Sequence, residues 1–213
     1  MRSLKLAYGA LFVSLLLAGC GQTDPAIDAE TDSTPNDTST AVTPETPVAE
    51  PLAQRDEIIQ AVYARADELE LCDGYLQEET LDDSEVYVLS SGQYLVQFLC
   101  NLAAYQGVYE FLVYQEEGTE VTITPLPLDM FIADETGQFS RISESTIAGL
   151  PSFDPESQIL TNFSKARGLG DCGAFSRYQW NGEGLELIEY REKECDSEET
   201  PFIEPQDYPQ VYP

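Results

Sequence analysis

The sequence predicts an α+β fold that is mostly β: antiparallel β-meander sheets, as a small sandwich or an open barrel, with one N-terminal amphipathic helix. Three observations carry this prediction. Helical apolar spacing occurs near residues 54–71. From Tyr94 onward, alternating, β-branched and aromatic runs are separated by glycines. A tight Asn181-Gly182-Glu183-Gly184 connection joins the last two of these runs, as a hairpin requires.

The elements follow in order. In residues 54–71, Ile58, Ile59, Val62, Tyr63, Ala66 and Leu69 recur at spacings of three and four, which places them on one helical face. Asp56 and Glu57 suit the positive start of that helix, and Asp73-Gly74 is a stop signal. The apolar stripe reads as core-facing. Tyr94, Val96, Phe98 and Cys100 then alternate with Leu95, Gln97 and Leu99. Residues 105–114 and 121–124 continue as strands around Gly118. Residues 125–153, with Pro125, Pro127, Gly137, Gly149 and Pro151, are less regular. Strands resume at 158–165, 175–180 and 185–191.

Ahead of the domain, the chain divides twice more. Arg2 and Lys5 precede an apolar run, Leu6 to Leu17, which ends at Leu17-Ala18-Gly19-Cys20. A basic start, a short apolar core and small residues before a cut describe an export signal. The run is short for a bilayer span. With Cys20 at its end it resembles a bacterial lipoprotein signal. That resemblance implies cleavage before Cys20, lipid on its thiol and new amino group, and a membrane anchor. Gly21 follows instead of the Asp that retains such proteins in an inner membrane, which favours an outer membrane. Residues 20–52 read as a disordered tether, with Pro25, Pro35, Pro44, Pro47 and Pro51 among Thr, Ser and acids. Such a segment spans on the order of 30 Å on average. The expected organisation is therefore 1–19 signal, 20–52 tether and 53–213 one β-rich domain.

Charge and cysteines narrow the chemistry. The chain has 39 acidic and 10 basic residues. Cleavage would remove Arg2 and Lys5 and leave 39 against 8, a net −31. Such a surface repels nucleic acid and anionic lipid and attracts cations or basic proteins. With Cys20 assigned to lipid, Cys72, Cys100, Cys172 and Cys195 remain for two disulfides. Three connectivities are open; locality favours Cys72–Cys100 and Cys172–Cys195, each flanking a hairpin region. The chain has no His and no Cys-x-x-Cys, which argues against zinc and excludes Ser-His-Asp or Cys-His catalysis. No stretch fits the EF-hand calcium loop. The sequence implies no metal, no cofactor and no catalytic residue.

One segment carries a further resemblance. It comprises Phe153-Asp154-Pro155-Glu156, Leu160, Phe163, Arg167-Gly168-Leu169-Gly170-Asp171-Cys172-Gly173, Tyr178, Trp180-Asn181-Gly182, Leu185, Leu187 and Cys195. This pattern resembles domain-of-unknown-function family 1176, an exported bacterial family, most clearly over residues 153–213. Asp207-Tyr208-Pro209-Gln210-Val211-Tyr212 is similar to the family's closing Trp-Pro segment, with Tyr208 in place of the Trp. The resemblance supports a β-rich fold and a Cys172–Cys195 link and implies no activity. Read from the residues alone, Gly168, Gly170 and Gly173 permit positive φ, Asp171 can cap local N–H groups, and Arg167 can pair with an acid. The loop is a structural corner or, alternatively, a partner site.

Three function classes fit. The leading one is a non-enzymatic, lipid-anchored binding or scaffolding module of the envelope. The second is an acidic inhibitor of a cationic wall-degrading enzyme such as a lysozyme, which the charge suits. The third, a carboxylate-based hydrolase, lacks a nucleophile motif and needs two acids at a set separation.

Overall fold

The computed structural model describes residues 49–195 and 201–213. Cys20, the export signal and nearly all of the expected tether lie outside these residues. The described chain contains one long helix, α1 (Ala49–Tyr63), and eleven strands. The strands are β1 (Glu85–Ser90), β2 (Gln93–Leu102), β3 (Gly107–Glu117), β4 (Glu120–Leu126), β5 (Leu128–Ala133) and β6 (Phe139–Glu144). The series continues with β7 (Thr146–Asp154), β8 (Ile159–Lys165), β9 (Gly173–Trp180), β10 (Leu185–Lys193) and β11 (Gln210–Tyr212). The fold is mostly β and antiparallel, as the sequence predicts.

β2 and β3 form the centre of the first half. β1 lies on the outer side of β2, and every pairing is antiparallel. The other edge of β3 is shared. Its first residues, Gly107–Glu110, pair with β7, and Phe111–Glu117 pair with β4. The sheet then runs β7-β8-β9-β10-β11 and does not close. Between β4 and β7 the chain detours through a separate β5–β6 hairpin.

Alternation assigns the two sides of β2 to different cores. Tyr94, Val96, Phe98 and Cys100 pack with Ile58, Ile59 and Val62 of α1, and with Leu112, Tyr114 and Ile123. Leu95, Phe111, Val113 and Leu126 instead share a core with Phe153, Leu160, Tyr178, Trp180 and Leu187. The sheet therefore folds over, so that its two halves meet through one face. Tyr87 of β1 reaches Phe153 of β7, ring centroids 5.2 Å apart, and Gln158 Nε2 donates to Leu89 O at 3.2 Å.

The structure departs from the expected elements at three places. The helix begins at Ala49, inside the expected tether, and winds regularly only to Tyr63. Pro51 is compatible with the first turn, where helix N–H groups have no partner anyway. Beyond Tyr63 the chain tightens: Ala66 N donates three residues back to Tyr63 O, and Leu71 N donates to Ala66 O. Glu70, Cys72 and Asp73 then take φ of 52°, 62° and 51°. This turn leaves Cys72 joined to Cys100, with Cα atoms 5.4 Å apart. Second, residues 125–153, where less regular chain was expected, carry the end of β4, then β5, β6 and nearly all of β7. Pro125 is tolerated because β4 is an edge strand, and Pro151 because β7 has left β3 by that point. Third, β1 and β11 add a strand to each end of the sheet order.

Candidate functional site

The glycine-rich corner lies between β8 and β9. Gly173 faces Lys165 at the start of their ladder with φ +137°. A Cβ there would stand 2.1 Å from Ser164 O and 2.9 Å from Ala166 N, so only glycine lets β9 begin this close. Gly170 adopts φ +68° and donates its N–H to Arg167 O at 3.0 Å. The Arg167 guanidinium holds both carboxylate oxygens of Asp171, through Nε at 2.8 Å and through Nη2. Those bonds hold the Asp171 carboxyl down to about 2. Lys193 Nζ donates to Asp171 O at 2.9 Å. Gly168 sits against the Tyr105 ring, whose hydroxyl donates to Ala166 O at 3.2 Å. Cys172 is joined to Cys195, Cα atoms 5.1 Å apart. The structure thus gathers Arg167, Gly168, Gly170, Asp171 and Gly173 with one disulfide, and aims Arg167 at an acid of its own loop.

The closing segment packs on the same corner. Tyr208 is fully buried, its ring 6.1 Å from Phe163, and Phe163 in turn lies beside Gly170. Arg191 Nη1 donates to Tyr208 O at 2.9 Å, which fastens the segment to β10. The Tyr208 hydroxyl is buried and has no partner among the described residues.

A second location emerges on the inner face of β7 to β10. At one end of that face stand Leu160, Tyr178, Trp180 and Leu187. Further along the same strands the inward positions carry Asn162, Ser164, Ala174 and Ser176. These smaller side chains leave a cavity of about 210 Å³, walled also by Met130, Ile147, Tyr178 and Tyr190. Every side chain lining it is uncharged. The β5–β6 hairpin is fastened beside it by two tyrosine hydroxyls. Tyr178 donates to Asp129 O and Tyr190 to Phe131 O, each at 3.0 Å. Burial pushes Tyr178 up to about 12 and Tyr190 upward as well, so both remain neutral donors at physiological pH.

Asn162 is the unusual residue of this cavity. It is 4 % exposed and faces Ser176 across the β8–β9 ladder. Its Nδ2 donates to Ala148 O at 3.3 Å, while its Oδ1 has no donor among the described residues. The carboxamide lies over Gly149, where a Cβ would come within 2.0 Å of Oδ1. Gly149 therefore makes the room in which Asn162 sits. None of these residues was singled out from the sequence as a site. The available signal was Asn162 and Ser176, polar residues at strand positions in phase with buried Leu160 and Tyr178.

The turn after α1 forms a wider groove of about 590 Å³, lined by residues 72–77 with Asn101, Val108 and Thr146. Nearby, Glu110 is buried at 3 % exposure, and its Oε2 accepts the Cys72 N–H at 2.6 Å. Burial pushes the Glu110 carboxyl up, against the pull of that N–H and with a further push from Asp73. The Cys72 and Cys100 sulfurs lie close to this carboxylate, but they are bonded to each other and offer no thiolate to a metal.

Comparison with known proteins gives one match. The model of a family described as "Protein of unknown function (DUF1176)" matches residues 24–209, well beyond the segment in which the sequence pattern is clearest. No curated protein and no solved structure matches.

Proposed function

Because the chain belongs to the DUF1176 family, whose description assigns no activity, we propose from its own geometry that it is a lipid-anchored binding module of the bacterial envelope. In this reading Cys20 carries the lipid, with an outer membrane favoured. The acidic tether lifts the β-rich domain off the surface, and the cavity beside Asn162 takes a small ligand. The observation that carries the reading is the cavity of about 210 Å³ on the inner face of β7 to β10, where Asn162, Ser164 and Ser176 stand among apolar walls and no charge. Concave, mostly apolar pockets with a few placed polar groups are the ordinary form of small-ligand sites. The acidic-inhibitor reading is kept as second because Asp67, Glu70 and Asp73 line another groove beside the turn after α1. That surface suits a basic partner.

Two measurements test this. Acyl labelling followed by envelope fractionation should find label on the wild-type chain and none on Cys20→Ala. Label retained in the variant refutes the anchor. The immobilised full chain, washed with envelope extract at low and high salt, separates the binding readings. A component held through high salt supports the neutral cavity, and a basic protein released by salt supports inhibition. Retention of nothing at either salt refutes both.

A further inference from the structure

β4 pairs with β3 alone, and its other side faces no strand. The hairpin decides which backbone groups stand on that side. A two-residue turn, Gly118-Thr119, joins Glu117 to Glu120 and makes them a hydrogen-bonded pair, so the next pair, Glu116 and Val121, is not one. Glu116 fits this phase: its N–H donates to Gly92 O at 2.8 Å, away from β4. Val121, and Ile123 two residues on, therefore turn N–H and C=O away from β3. Pro125 follows in the same phase and offers a C=O only. None of these groups has a partner among the described residues.

We propose that this open edge of β4 takes an extended, basic segment of another protein as an added strand. The surface is separate from the cavity and the groove discussed above and rests on neither. In strand addition the main chain supplies attachment, and charge helps to choose the partner. Between Ala66 and Ser140 the chain has no Lys or Arg. At the open edge, Glu116 stands opposite Val121 and Glu117 opposite Glu120. Glu57 of α1 is near as well: burial first, with the charges of Glu116 and Glu57 adding to it, pushes the Tyr114 hydroxyl up. None of these acids pairs with a cation among the described residues. Successive residues of an added strand point to opposite faces, and each would meet acids. Glu57, Glu116 and Val121 lie on the helix side, and Glu117, Glu120, Thr122 and Thr124 on the other. Val121, Thr122 and Thr124 are exposed, which leaves room for a partner's side chains. A second copy of the chain, at net −29, would bring acids to acids. So would the chain's own residues 21–48, which contain no Lys or Arg. The end strands suit the role less. Gln158 already donates to Leu89 O of β1, and β11 has three residues.

The full chain, labelled at its amide nitrogens, would be titrated with an end-blocked peptide, Lys-Val-Lys-Val-Lys. Its controls are Glu-Val-Glu-Val-Glu and the basic peptide N-methylated throughout, which keeps the charge and loses every backbone donor. The basic peptide should shift the Val121 and Ile123 amides saturably and slow their hydrogen exchange. The N-methylated peptide should bind at least tenfold more weakly, and the acidic one not at all. Val121→Pro removes an outward N–H without touching the β3–β4 ladder and should also weaken binding at least tenfold. Glu117→Gln combined with Glu120→Gln should weaken binding and reduce its salt dependence. Equal binding of either control, no binding of the basic peptide, or undiminished binding to a folded Val121→Pro chain overturns the proposal. If Val121→Pro does not fold, the N-methylated peptide still decides. Slow exchange of the two amides in the peptide-free chain, lost on dilution, would give the edge to a second copy and overturn the basic partner.

Discussion

Gly173→Ala should be among the most damaging single-methyl additions in the corner, and its cost can be worked from the geometry. At φ +137° a Cβ introduces strain, on the order of 1–2 kcal/mol where the left-handed region disfavours L-residues. The same Cβ would stand 2.1 Å from Ser164 O, a backbone atom. Ser164 and Lys165 are paired with Ala174 and Gly173, so the carbonyl cannot turn away without breaking the β8–β9 ladder. Overpacking of this kind adds roughly 1–3 kcal/mol. The total is about 2–5 kcal/mol. For a domain of this size each kcal/mol lowers Tm by roughly 2–4 °C, so a loss on the order of 10 °C follows. Gly170→Ala is the control. Its φ is +68°, but its nearest neighbour is Lys165 Cε at 3.5 Å, and only the backbone strain applies. Its Tm should fall by about half as much or less. Thermal melts followed by circular dichroism, on full chains with disulfides intact, would give both numbers. If Gly173→Ala melts no lower than Gly170→Ala, the steric reasoning about this corner is wrong.

Three other predictions address the buried polar groups and the covalent frame. Glu110 holds its proton more readily folded than unfolded, so its contribution to stability falls as pH rises from the ordinary carboxylate range through its raised folded value. Glu110→Gln keeps an acceptor for Cys72 N–H and should raise stability at neutral pH while flattening that slope; unchanged denaturant midpoints from pH 4 to 8 would contradict this. Tyr208→Phe removes a buried hydroxyl with no partner among the described residues and should leave stability equal or raise it by about 1 kcal/mol; a loss measured by urea unfolding would reveal a bond not accounted for. Replacing Cys72 and Cys100 together by Ala opens a link between residues 28 apart and should cost about 3–4 kcal/mol in the chain-entropy model; unchanged urea stability would refute that account.

The fold class was legible because the apolar spacing changes once, from helical to strand-like, near Cys72. The two disulfides were legible as a preference from locality, and both form. What escaped the sequence has physical causes. β1 carries apolar residues on both sides, with Val86 toward the helix core and Tyr87 and Leu89 toward the other, so no alternation marks it. β5 to β7 were hidden by Pro125, Pro127 and Pro151, residues whose tolerance depends on which edge has a neighbour. That is a property of topology and not of local sequence. The corner at residues 167–173 stood out because its glycines are clustered. The cavity did not, because its signature is two polar side chains, Asn162 and Ser176, placed in register by strand pairing. Only the ladder shows that they face each other.

The shared edge of β3 also sets an order of assembly. β2, β3 and β4 follow one another in sequence and can pair by short closures. The ladder from Gly107–Glu110 to Thr146–Gly149 must wait for the hairpin excursion to be spanned, a larger entropic barrier. At its end Gly107 meets Gly149, and neither contributes a side chain to hold the joint. Trp180, the sole tryptophan, lies beyond that joint on β9. Refolding followed by its fluorescence therefore times the arrival of the second half of the sheet and is blind to the moment the first half forms.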